Sequence, residues 1–183
     1  MFVLPVDNEL YLRIAEEKDA EELFKLIDRS RRSRESLREW LPWIDRTIRK
    51  EDTITFIQFS QKGFAEFTSM NLVILYREKI VGVAGFNEMD VENKVLSIGY
   101  WLDQCYQGNG IMNRVVRLLA DFALNHLHFN RIEIRIAVGN KKSQAIPEKL
   151  GFKKEGVLRE TEWLYDHYVD HIVYSLLASD NLE

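Results

Sequence analysis

The stretch of this 183-residue chain best suited to chemistry is Ser97-Ile-Gly-Tyr-Trp-Leu-Asp-Gln-Cys-Tyr-Gln107-Gly108-Asn109-Gly110-Ile111-Met112. There a strand-like run meets a glycine turn and then a helical pattern. The first N–H groups of a helix have no intrahelical acceptor and sit at the positive end of its dipole, so such a junction attracts phosphate. Gly108 and Gly110 permit positive φ and carry no Cβ, which lets a backbone approach a diphosphate closely. Two common phosphate motifs do not match. A P-loop needs Gly-Lys-Ser/Thr at the helix start, where this chain has Gly110-Ile111-Met112. A Rossmann turn needs a third glycine where Asn113 stands, and a repeated βαβ array that this chain lacks. On the residues alone, a phosphate cradle and a plain strand–helix turn both stay open.

Other reactive side chains are sparse. His126 and His128 end a helical run, and His167 and His171 lie four apart in an expected hairpin. None has a third ligand at metal spacing, so no metal is predicted. The single cysteine, Cys105, excludes an internal disulfide framework. It has no obvious general base beside it, so its thiol reads as structural or incidental.

The elements that must hold the turn follow from hydrophobic periodicity. Leu10–Ile14 alternates as a strand. A capping-box-like start at Asp19 and Glu22 opens a helix carrying Leu23, Leu26 and Ile27. Ser33–Trp40 predicts a second short helix ended by Pro42, and Glu51–Phe67 a third, weakened by Gly63. Leu72–Tyr76, Ile80–Asn87 and Val95–Leu102 form a three-strand antiparallel meander. A helix from Gly110 to His126 follows, with Val115, Leu118, Leu119 and Phe122 facing inward. Strand Arg131–Val138, a short helix over Ser143–Leu150 and strands Phe152–Arg159 and Tyr168–Leu177 complete the chain. The fold class is α+β: a mixed, mostly antiparallel sheet of about seven strands flanked by helices, with one strand–helix–strand crossover.

Composition bounds the rest. With 46% hydrophobic and 30% charged residues, the chain fits a single domain over residues 1–183 and can build a full core. Its apolar runs fall far short of the ~18–20 residues of a membrane span, and its N-terminus lacks the basic region of a signal peptide. A cytoplasmic protein without membrane association is expected. The net charge of −4 argues against a nucleic-acid coat, yet Arg29–Arg38 holds five arginines in ten residues. That run is either a solvated helix face or a contact for ribosomal RNA or a phosphate.

Tyr100-Trp101-Leu102 followed by Gln107-Gly108-Asn109-Gly110-Ile111-Met112 resembles the acetyl-coenzyme A signature Gln/Arg-x-x-Gly-x-Gly/Ala of the GNAT N-acetyltransferases. Asn140-Lys-Lys-Ser143 and Lys149-Leu-Gly-Phe-Lys-Lys-Glu-Gly156 resemble that superfamily's second block. Trp40-Leu-Pro-Trp43 and Glu155-Gly-Val-Leu-Arg159 are similar to the RimJ/RimL type, which acetylates ribosomal-protein N-termini. Met112 departs from the Gly/Ala of the signature.

The resemblance implies a GNAT fold whose sheet splays between its fourth and fifth strands, here Val95–Leu102 and Arg131–Val138. It implies acetyl-CoA as co-substrate, bound by Tyr100, Trp101, Leu102, Gln107, Gly108, Asn109, Gly110, Ile111, Met112, Asn113, Asn140 and Ser143. A backbone N–H near Tyr100–Leu102 would face the thioester oxygen. Many relatives protonate the leaving thiolate with a tyrosine where this chain has Pro147, so the implied acid is Ser143, which could equally serve only as a helix cap. Glu162 is the implied base, set in the acidic stretch Glu160–Asp170. Trp40, Trp43 and Trp163 would wall the acceptor site, and a homo-oligomer is implied. An α-amine, with a pKa of about 7.7–8.0, is easier to deprotonate than lysine, which suits a weak base. Three readings follow: an acetyltransferase for a protein N-terminus, one for a small amine such as a polyamine, amino acid or antibiotic, and a non-catalytic acetyl-CoA-binding module.

Overall fold

A computed structural model describes residues 2–32 and 37–180, so Ser33–Ser36 of the expected second helix lie outside the described residues. The chain divides into two units, Met1–Gly85 with Tyr100–Ile111, and Phe86–Gly99 with Met112–Glu183.

In the first unit the strands pair in the order β1 (Val3–Pro5), β2 (Leu10–Ile14), β3 (Met70–Tyr76), β4 (Lys79–Asp90) and β5 (Val95–Leu102), with β4 contributing up to Gly85 and β5 from Tyr100. β1 is the strand missing from the sequence reading. It is three residues long and ends on a proline, which an edge position tolerates because no ladder N–H is needed there. The helices are α1 (Ala20–Arg32), α2 (Leu37–Trp40) and α3 (Lys50–Glu66). Leu23, Leu26 and Ile27 of α1 pack with Ile57 of α3 and with Val73, Leu75, Ile80 and Val83 of the strands, forming one apolar core.

Asp19 does not cap α1. It ends a 3-10 turn, and its carboxylate reaches back to accept the Glu16 N–H at 2.7 Å and both Arg13 guanidinium nitrogens at 2.6 and 2.8 Å. Glu22, the other half of the expected box, accepts the Ile80 N–H instead. Gly63 makes room for a side chain: a Cβ there would lie 2.1 Å from Ser69 Oγ, while the Ser69 backbone nitrogen stands at an ordinary 3.7 Å.

In the second unit the order is β4, β5, β6 (Arg131–Ala137), β8 (His167–Leu177) and β7 (Lys153–Leu164), with helices α4 (Ile111–Asp121) and α5 (Lys141–Lys149). All strand pairs with a described register are antiparallel except β5 with β6. That parallel ladder covers only Val95–Ser97 against Arg131–Glu133, although both strands run on. α4 is shorter than expected. It passes at Phe122 into a π-helical turn closed by Leu127 N–H to Phe122 O. The inward seam is therefore Val115, Val116, Leu119, Ala120 and Ala123, while Leu118 and Phe122 are only half-buried. β7 runs five residues past the expected Arg159, to Leu164, and does so through bulges.

Candidate active site

In the first unit, β5 ends at Tyr100-Trp101-Leu102 and hands over to a short turn. Asp103, 1% exposed, anchors it: the Asp103 N–H donates to Val81 O, the carboxylate accepts the Cys105 N–H, and Arg29 of α1 pairs with the same carboxylate. The signature residue Gln107 and nearby Asn109 are used within the turn. Gln107 Nε2 donates to Leu102 O at 2.9 Å, and Asn109 Nδ2 points to the carbonyls of Tyr106 and Gln107. They shape the cradle, and the glycines open it. Gly108 and Gly110 take φ of 79° and 70°, and nothing lies within 4 Å of where a Cβ would stand at either. α4 begins on the next residue.

Ile111, Met112 and Leu102 have buried side chains, so any hold they have on a ligand must come from the backbone. The residues present therefore fit a diphosphate held by turn and helix-start N–H groups, with an open approach over the glycines. Trp43 and Trp101 meet with ring centroids 5.9 Å apart and pack on the first unit's core, and Trp40 is half-buried. Among the described arginines of the basic run, each has a carboxylate partner. Arg29 pairs with Asp103, Arg31 and Arg32 with Asp28, and Arg38 with both oxygens of Asp45. Arg34 lies outside the described residues.

In the second unit, Asn140 rather than Ser143 caps α5: its Oδ1 accepts the Ser143 N–H at 3.2 Å. Gln144, buried, donates Nε2–H to Ala137 O and Val138 O, fixing the first turn of α5 to the end of β6. Tyr174 donates to Glu148 at 2.7 Å from the other side, and burial together with that bond pushes its phenol up to about 12. Ser143 thus rides on a helix tied at two points.

Glu162 lies near the end of β7, and its Oε2 is 2.7 Å from His171 Nε2 on β8. This partner was not legible in the sequence, because the two residues are nine apart in a hairpin of irregular register. Trp163 packs edge-on against Tyr168 at 4.8 Å and is 53% exposed. At the hairpin tip, His167 bonds Asp166 and holds its carboxyl below the usual range. Among the described residues, no group of three or more His, Cys, Asp or Glu is placed to hold a metal ion, and no helix is long and apolar enough to cross a membrane.

Residues 9–153 match the family model of the acetyltransferase (GNAT) domain. The chain belongs to the GNAT acetyltransferase family. This GNAT chain is 32% identical over 182 residues to YdaF of Bacillus subtilis (strain 168), provisionally named a ribosomal N-acetyltransferase, covering 98% of this chain and 97% of that one. It is 29% identical to the ribosomal-protein-serine acetyltransferase of Escherichia coli (strain K12), covering 94% of both chains. Among solved structures, the microcin C7 self-immunity acetyltransferase MccE, in complex with acetyl-CoA and AMP, is 32% identical with a TM-score of 0.88 over 94% of each chain. RimL, the ribosomal L7/L12 alpha-N-protein acetyltransferase, in complex with coenzyme A, is 27% identical with a TM-score of 0.91 over 96% of this chain and 98% of that one. The fold expected from the sequence is thereby established, with eight strands in place of about seven.

Proposed function

We propose that this GNAT enzyme moves the acetyl group of acetyl-CoA directly onto the α-amino group of a protein N-terminus, with a ribosomal protein as the acceptor. The observation that carries the donor half is the pair of positive-φ glycines with open space above them, leading straight into α4. The acceptor half rests on the names of the relatives, which act on ribosomal proteins. We read the two units as one acetyltransferase domain, supported by a family match that runs across both and by β4 and β5, which pass through the boundary. By resemblance, the protein is a cytoplasmic homo-oligomer. Arg29, Arg31, Arg32 and Arg38 each pair with a carboxylate of this chain, which supports a structural role for these four arginines.

Acetyl-CoA brings an activated thioester; the chain's residues do the rest. N–H groups from Gly108 to Asn113 hold the diphosphate, and Tyr100–Leu102 lies along the pantetheine arm. Backbone directions alternate along a strand. The Asp103 N–H turns toward β4, and the Leu102 carbonyl turns to Gln107. Tyr100 and Leu102 therefore point their N–H groups away from β4, where either can donate to the thioester oxygen as it gains charge. Glu162 takes a proton from the acceptor ammonium. The freed amine attacks the thioester carbon and the C–S bond breaks; Ser143, with its helix already capped by Asn140, passes its hydroxyl proton to the departing sulfur and is refilled by the second proton lost from the acylated nitrogen. On the resemblance alone, we assign Trp40, Trp43 and Trp163 as residues that contact the acceptor.

A thiol-release assay with acetyl-CoA and separate pools of N-terminal peptides, polyamines and amino acids tests this reading. Turnover on the peptide pool is expected. Turnover confined to small amines would overturn the acceptor assignment, and tight acetyl-CoA binding with no turnover in any pool would make the chain a binding module.

A further inference from the structure

We propose that His171 is a positioning residue for Glu162, and that a two-residue bulge in β7 exists to bring the pair together. This inference rests on Glu162 being the base. The register of the hairpin carries it. Leu158 faces His171, but Glu162 faces Val169, so three residues of β7 span the one residue of β8 between those pairs. Val169 and His171 are two apart and share a face of β8. The bulge thereby makes Glu162 the diagonal neighbour of His171, within reach of long side chains. Were the same residues laddered regularly on from Leu158, with no bulge, Glu162 would lie opposite His167 instead.

The bulge is pinned. Glu160 adopts a left-handed φ of 47°, and its N–H donates to Asp170 Oδ1 at 2.7 Å. Asp170 also gives its carbonyl to the Val138 N–H, so the pin is anchored on the residue following β6. A left-handed non-glycine residue is strained and persists where the surroundings hold it.

The resulting contact is directional. An ionised carboxylate only accepts, so the 2.7 Å contact requires His171 Nε2 to carry the hydrogen and Glu162 Oε2 to receive it. With the His171 side chain only 17% exposed, the ring is held, and the carboxylate is fixed by one oxygen. Oε1 remains to take the proton of the acceptor amine. His171 touches no reacting atom; it sets the direction of the group that does.

The test uses the full chain with acetyl-CoA and the best acceptor from the peptide pool. His171→Phe, which keeps a ring and removes the donor, should lower kcat at least tenfold while leaving KM for acetyl-CoA within twofold. His171→Gln places an amide N–H near the former Nε2 and should recover kcat to within threefold of wild type. The double variant His171→Phe/Glu162→Gln should be no slower than Glu162→Gln alone, because residues acting as a unit are not additive. Should His171→Phe not fold, His171→Leu serves in the same comparison. If Glu162→Gln is slow while His171→Phe matches wild type, or if the two losses multiply, the positioning role is wrong and the base assignment stands. If Glu162→Gln is as fast as wild type, the base assignment itself fails.

Discussion

Gln107 donates its side-chain N–H to the carbonyl of Leu102 across the turn that closes β5, at 2.9 Å. The signature glutamine is thus a brace between the strand proposed to carry the pantetheine and the glycines proposed to carry the diphosphate. Gln107→Ala removes one hydrogen bond worth about 1 kcal/mol net. KM for acetyl-CoA should rise roughly fivefold, with kcat changed less than twofold, in steady-state assays at saturating acceptor. A fall in kcat at unchanged KM would contradict the bracing role.

Gly110→Ala introduces no clash, since the space around it is open, but it forces a side chain into φ of 70°. The strain should cost about 1–2 kcal/mol. Gly110→Asn should cost less, because asparagine tolerates this region better than alanine. The order of melting temperatures, wild type above Asn above Ala, checks the conformation directly. Isothermal titration with coenzyme A should follow the same order.

Asn140 takes the capping role that the sequence left open for Ser143, whose part as proton donor is the proposal to be tested. Asn140→Ala removes the cap of α5 and should destabilise the protein by about 1 kcal/mol, read from urea unfolding. Ser143→Ala should lower kcat much more than KM. Should kcat of Ser143→Ala equal wild type, the proton donor lies elsewhere.

Arg131 and Ser175 hold the Glu155 carboxyl at about 2, below its ordinary 4.5. A depressed carboxyl favours the folded state at all pH above its unfolded value, and that contribution is lost as pH falls through about 2. Arg131→Met should therefore be less stable than wild type at pH 6, and the gap should narrow between pH 4.5 and 2. Glu155 is substantially exposed, so its share of the gap is small and shrinks with added salt. Urea midpoints for both proteins across this range provide the check.

What was legible in the sequence was whatever repeats locally. The meander, α1, α3 and the strand–turn–helix junction follow from apolar spacing and glycine placement, and β5 was bounded to the residue. What was not legible depends on pairing across the chain. β1 exists only because β2 offers it an edge. Asp19 looks like a cap until Arg13, six residues earlier, claims both of its oxygens. The end of α4 carries no glycine or proline, so its passage into a π turn leaves no mark in the composition. The Glu162–His171 contact was hidden for the same reason, because a bulge shifts the register that alternation alone would assign.

That register shift gives residues 159–161 a parity. Removing one of them and continuing the ladder regularly from Leu158 would turn Glu162 to the opposite face of the hairpin and away from His171; removing two would restore a regular ladder with Glu162 still opposite Val169 and diagonal to His171. Length changes in this segment should therefore act in steps of odd and even. A chain of this family that differs here by a single residue and ladders regularly would turn the residue corresponding to Glu162 to the other face of the hairpin.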